Sequence, residues 1–229
     1  MSVHIISNLT MVRHRIADAA MRSGRDPNEI KLVAVSKTHP PSVLREAMEA
    51  GVTIFGENKV QEAENKIIAI GRHAAEWHLI GHLQSNKARK AVQLFDVIHS
   101  VDSVELARRL ERICEEEGRE SLPVLVQVDI AGEATKSGIA EEALSELVDY
   151  LNTCKLLQLQ GFMVLPPYYE DPEATRPFFR RLRAIRDEML SGGELSMGMS
   201  HDFEVAIEEG ATIVRVGTAI FGEREYGSR

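Results

Sequence analysis

The 229 residues suffice for one large domain or two small ones, and 44% apolar with 27% charged content matches a folded globular chain and excludes a disordered one. A formal charge of −8 argues against nonspecific nucleic-acid binding, which needs a concentrated basic surface to neutralise phosphates. Cys114 and Cys154 lie forty residues apart without a CxxC partner, which speaks against a disulfide framework or zinc site and for a reducing cytoplasm; no stretch reaches the roughly 18 apolar residues of a membrane span, and no secretory h-region opens the chain.

From the N-terminus, Ile5, Leu9, Val12 and Ile16 recur at spacings of three and four, which predicts an amphipathic helix over 3–22 ending near Gly24. Short β-rich runs follow at 31–37, 52–55, 77–81, 96–100, 123–130, 157–165, 194–197 and 212–217. Helical segments are predicted between them at 41–50, 58–70, 84–94, 103–118, 140–153, 173–190 and 202–209. Alternation of this kind implies parallel strands joined by crossover helices. Eight strands, seven intervening helices and one helix in front suit a single closed (β/α)8 barrel better than an open doubly wound sheet, and no linker or composition shift divides 1–229. Arg180, Arg181, Arg183 and Arg186 read as the solvated face of a helix whose core stripe is Phe178, Leu182, Ile185 and Met189.

Barrel chemistry gathers at the C-terminal ends of strands. The residues there are Lys37, then Glu57 and Asn58, then His82, then Ser200, and last Gly217 with Thr218. A lysine that closes a strand is ordinarily solvated, but one partly buried at a barrel mouth has a lowered pKa and a neutral amine that attacks aldehydes. In VRVGTAIFG, Gly217 can serve a turn alone, or it and Thr218 can present backbone N–H groups to a phosphate at the start of a short TAIF helix. Ser200 or Asp202 can cap the next helix; alternatively Ser200 joins Gly217 and Thr218 at that phosphate. Ser200, His201 and Asp202 are consecutive, which is the wrong geometry for a hydrolase triad, and His78 with His82 straddle a strand end instead of sharing a helix face for metal.

AVSK (34–37), FGENKVQE (55–62), WHLIGHLQSNK (77–87), EATKSGI (133–139), GFMVLPP (161–167) and SMGMSHDFEVAIEEGATIVRVGTAIFGER (196–224) together resemble the YggS/PROSC family of pyridoxal-phosphate homeostasis proteins. The resemblance implies an alanine-racemase-like barrel that binds pyridoxal 5′-phosphate without established catalysis. It implies a Schiff base on Lys37, phosphate contacts from Ser200, Gly217 and Thr218, Arg215 facing the pyridine nitrogen, and Asn58 lining the pocket unless it is only a helix N-cap. A guanidinium at the ring nitrogen leaves it unprotonated and a poor electron sink, which disfavours decarboxylase or transaminase chemistry. Lys59 stands where an aromatic is frequent in this family and Asp129 where asparagine is frequent, which bears on specificity. The expected partners are pyridoxal phosphate and pyridoxal-phosphate-dependent apoenzymes, with no nucleic acid, no membrane and a monomeric state. Two enzyme readings stay open: a weak amino-acid racemase, for which Tyr226 is a poor second acid/base, and a Schiff-base aldolase acting on a phosphorylated sugar.

Overall fold

The computed structural model describes residues 2–132 and 137–222. Tyr226 and the whole EATK stretch (133–136) lie outside the described residues. The alternating runs become parallel strands β1 (Lys31–Val35), β2 (Ile54–Glu57), β3 (Glu76–Leu79), β4 (Val97–Val101), β5 (Leu122–Asp129), β7 (Leu157–Met163), β8 (Glu194–Met199) and β9 (Ile213–Val216). They pair in the order β4, β3, β2, β1, β9, β8, β7, β5, and a β4–β5 pairing closes the ring. A two-residue strand, β6 (Ile139–Ala140), pairs with the end of β5 outside the ring and was not anticipated, because two residues carry no periodicity.

The helices are α1 (Ser2–Arg22), α2 (Pro41–Glu49), α3 (Val60–Ile70), α4 (Ala88–Leu94), α5 (Val104–Glu116), α6 (Leu144–Thr153), α7 (Arg176–Met189), α8 (Phe203–Glu208) and the single turn α9 (Thr218–Phe221). Each crossover helix lays an apolar stripe on the outside of the barrel, where the main core forms; Trp77 and Phe55 stack there with ring centroids 5.4 Å apart. The stripe of α7 is Phe179, Leu182 and Ile185. Phe178 is the correction: one position round the helix, it is only half-buried and stacks on Tyr169. The arginines opposite this stripe are engaged by acids, Arg181 with Glu141, Arg180 with Glu209 and Arg183 with Asp187.

Helix α1 buries Ile5, Leu9, Val12 and Ile16 against the last βα unit. Asn8 donates to the Ile220 carbonyl, and Arg25 donates to the carbonyls of Ile207 and Ala211, so the first helix ties down the last two. Among the described residues no helix is long and apolar enough to cross a membrane.

Inside the ring, side chains at every second position point to the axis. Val33, Val97, Leu125 and Ile213 form an apolar plug there, with Ile54 packed on it. Above the plug, His99, Gln127 and Arg215 bring polar groups inside the ring beside Val35 and Gly56. Gly56 is required at this level, since a Cβ would sit 2.7 Å from Val33 Cγ1 and 3.0 Å from Ile80 Cδ1.

Candidate functional site

Two residues beyond the plug, the inward positions open into a cavity of about 570 Å³ at the C-terminal end of the barrel. Lys37, Asn58, Ser200, Arg215, Gly217 and Thr218, all expected from the sequence, line it together, as does His82. The period of two explains the convergence: Val33, Val35 and Lys37 share one face of β1 and its exit, as Ile213, Arg215 and Gly217 do on β9. A smaller hollow of about 380 Å³ between Arg13, Ile16, Leu32 and Ile54 contains none of these groups.

Neither Asn58 nor Ser200 caps a helix. Asn58 is not an N-cap: Lys59 holds that position before α3 with no side-chain bond, and Asn58 remains on the cavity wall. Gly81 allows this, because a Cβ at 81 would lie 2.3 Å from the Asn58 carbonyl oxygen. Ser200 does not cap α8; its Oγ accepts from the Gly217 N–H (3.1 Å) and the Ala219 N–H (3.3 Å). Asp202 occupies the cap position of α8, yet its Oδ1 accepts from the Met199 N–H at 2.7 Å, bending the chain back so that Ser200 faces α9. Two backbone donors therefore converge on one oxygen at the cavity edge, an arrangement suited to an anionic oxygen as well. A Cβ at 217 would approach the Val35 carbonyl to 3.2 Å, so glycine keeps that edge narrow.

Arg215 is 2% exposed. It donates to Ser196 Oγ at 2.6 Å and to the Val164 carbonyl at 2.9 Å. Burial lowers its pKa to about 10, opposed by the Asp202 carboxylate, and it stays cationic at neutral pH. Gln127, on β5, was missed from the sequence: its Nε2 donates to the Ser137 carbonyl, and among the described residues its buried Oε1 has no partner on the cavity wall. His82 Nδ1 lies 3.4 Å from Asp102 Oδ2. Among the described residues no cluster of three metal-ligating side chains exists.

Glu57 corrects the sequence reading, which placed it at the mouth. It ends β2 fully buried, accepting from Ser36 Oγ at 2.5 Å and from Lys66 Nζ at 2.7 Å. Lys66 also reaches Glu62 and the Ser36 carbonyl, both at 2.7 Å. Burial pushes the Glu57 carboxyl up; for Glu62 burial acts the same way, but hydrogen bonds from Lys66 and the Thr38 N–H hold it below its usual range. The Thr38 N–H thus donates to Glu62, and Thr38 has a φ of 70°, the left-handed conformation that non-glycine residues rarely adopt. A buried ion cluster consequently clamps the strained residue directly after Lys37. No local pattern announces it, since Lys66 looks like any helix lysine.

Comparison with known proteins places these features in a family context. The family model "Alanine racemase, N-terminal domain" matches residues 7–225. A pyridoxal phosphate homeostasis protein of Aquifex aeolicus is 45% identical over 95% of this chain and 97% of its own length. One from Escherichia coli K12 is 42% identical over 98% and 99%. The solved structure of PipY from Synechococcus elongatus with PLP bound is 40% identical, covers 95% of this chain and all of that one, and superposes with a TM-score of 0.83. A D-threonine aldolase from Filomicrobium marinum, 18% identical with a TM-score of 0.73, shares the fold.

Proposed function

Because the chain belongs to the alanine racemase N-terminal-domain family, we propose that it is a pyridoxal 5′-phosphate-binding protein of intracellular cofactor homeostasis, holding the cofactor on Lys37. The observation that carries the reading is the convergence in one cavity of an amine at Lys37, a backbone-lined oxyanion cradle at Ser200 and Gly217, and a buried cation at Arg215. Those three features match the aldehyde, the phosphate and the ring nitrogen of one small molecule.

The residues fit the group on three further counts. The narrow glycine edge admits a phosphate close to the backbone amides, the orphaned Gln127 Oε1 offers an acceptor, and the cavity volume exceeds that of a single pyridine ring with its phosphate arm. When bound, the cofactor supplies an aldehyde that condenses reversibly with a lysine amine. The rest falls to the protein: Ser200 and the 217–219 amides fix the phosphate, the Glu62 clamp on Thr38 sets where the Lys37 side chain departs, and Arg215 keeps a positive charge at the ring. A cation there favours an unprotonated ring nitrogen and so disfavours decarboxylase or transaminase chemistry, while a racemase tolerates it. Release to apoenzymes would require hydrolysis of the lysine bond and loss of the phosphate contacts at Ser200 and the Gly217 and Ala219 amides.

The test is the absorption spectrum of purified protein with added pyridoxal phosphate, before and after borohydride, with peptide mapping and Lys37→Ala alongside. A near-visible band, an adduct on Lys37 and loss of both in the variant are expected. An adduct unaffected by Lys37→Ala would sink the assignment, and trapping only with a phosphorylated sugar would favour the aldolase reading. Stereospecific exchange of amino-acid α-protons into solvent above free cofactor would replace storage by racemisation.

A further inference from the structure

A continuous line of hydrogen bonds crosses the barrel interior from Arg215 to its opposite end. Arg215 donates to Ser196 Oγ at 2.6 Å, and that oxygen lies 2.9 Å from His99 Nδ1. His99 Nε2 lies 2.8 Å from His78 Nδ1, and His78 Nε2 lies 2.8 Å from Glu76 Oε1. Arg215, Ser196, His99 and His78 are at most 2% exposed, whereas the Glu76 side chain is 47% exposed where β3 begins, at the end of the barrel away from the cavity.

With both histidines neutral, the direction of every bond in this line follows from its two ends. Glu76 is an ionised acceptor, its pKa lowered chiefly by the hydrogen bond to His78, so His78 carries its proton on Nε2. His78 Nδ1 is then an acceptor, which puts the His99 proton on Nε2 and leaves His99 Nδ1 to accept from the Ser196 hydroxyl. With its proton committed, Ser196 can only turn a lone pair to Arg215. Arg215, from the other end, can only donate. The ends agree, and no junction holds two hydrogens or none. Burial comes first in holding the His99 ring neutral, well below 6.5, and the charges of Arg215 and Lys31 act in the same direction.

We propose that Glu76, His78, His99 and Ser196 are positioning residues that act as one relay, making Ser196 an obligate acceptor and thereby fixing the Arg215 guanidinium at the ring end of the cavity. This rests on the reading that Arg215 meets the pyridine nitrogen. A set of buried polar residues that merely satisfied one another would not need a defined proton order running to a solvent-exposed carboxylate.

The first test needs no cofactor. In protein carrying 15N-labelled histidine, long-range proton–nitrogen correlation at neutral pH is expected to show the ring proton of both His78 and His99 on Nε2. A charged His99, or one protonated on Nδ1, overturns the relay. The second test follows the near-visible band of the bound cofactor. His99→Asn puts an amide oxygen close to where Nδ1 stood and keeps an acceptor for Ser196; His99→Leu removes it. The Leu variant is expected to lose cofactor about tenfold faster and to shift the pH midpoint of the band, with the Asn variant close to the parent. Identical behaviour of the two variants overturns the proposal. Glu76→Gln, remote and exposed, is expected to give mixed tautomers at His78 and a smaller shift of the same midpoint; an unchanged tautomer and midpoint counts against it. If His99→Leu fails to fold, Ser196→Ala removes the same acceptor and must show the same accelerated loss. Absence of any Lys37 adduct in the parent protein would defeat the cofactor reading, while the tautomer measurement still judges the relay.

Discussion

Replacing Lys66 by methionine probes the clamp behind Lys37. The lysine is 5% exposed at its side chain, and its ammonium serves Glu57, Glu62 and the Ser36 carbonyl, each at 2.7 Å. Lys66→Met leaves Glu57, wholly buried and with Oε2 already without a partner among the described residues, holding the Ser36 hydroxyl. Breaking a buried pair on one side destabilises by about 3–5 kcal/mol, since the surviving charge loses compensation. For a domain of this size that corresponds to a melting temperature lower by about 6–20 °C. The pH dependence supplies a signature. Glu57 already has a folded-state pKa raised above 4.5, and losing Lys66 raises it further, so the native variant binds a proton that the unfolded chain releases. The deficit must therefore shrink as pH falls from 7 towards 5, by up to about 1.4 kcal/mol per unit. Urea unfolding at several pH values measures it, and the double variant Glu57→Leu/Lys66→Met should recover most of the loss. A deficit below about 1 kcal/mol, or one independent of pH, would refute the view that Glu57 depends on Lys66.

Three other outcomes are expected. Gly81→Ala forces a methyl to within 2.3 Å of the Asn58 carbonyl, a backbone atom, and should destabilise by about 2–3 kcal/mol while shifting Asn58 off the cavity wall; an unchanged denaturation midpoint would contradict this. Ser200→Ala should weaken binding of pyridoxal phosphate about tenfold while scarcely affecting unphosphorylated pyridoxal, as read by spectrophotometric titration of both; equal weakening of both would place the hydroxyl elsewhere than at the phosphate. His99 has a folded pKa below its unfolded value of 6.5, so below 6.5 the unfolded chain binds the extra proton and stability falls as pH drops. His99→Asn should flatten that slope between about pH 6.5 and 5, and an identical slope would assign the effect to other groups.

What the sequence by itself determined was local in range. The β-rich runs at 31–37 and 212–217 already placed Lys37 and Gly217 at strand ends, the family resemblance supplied Arg215, and the period of three and four already placed Ile5, Leu9, Val12 and Ile16 in one stripe. Strand ends therefore pointed at the cavity before any coordinate was known. Boundaries slipped where one residue decides the matter: the second strand lies at Ile54–Glu57 instead of 52–55, which takes Glu57 from the mouth into the interior, and Phe179 replaces Phe178 in the stripe of α7. Asn58 and Ser200 suited helix caps equally well until their neighbours were known.

Tertiary structure alone decided the partners of buried polar groups. His99 meets Ser196 across 97 residues of chain because the β4–β5 pairing closes the ring, and Lys66 meets Ser36 across thirty because α3 packs on β2, the neighbour of β1. A buried histidine or lysine must find a partner, and that requirement is physical and local. Which partner it finds depends on closure of the barrel, and no spacing along the chain encodes that.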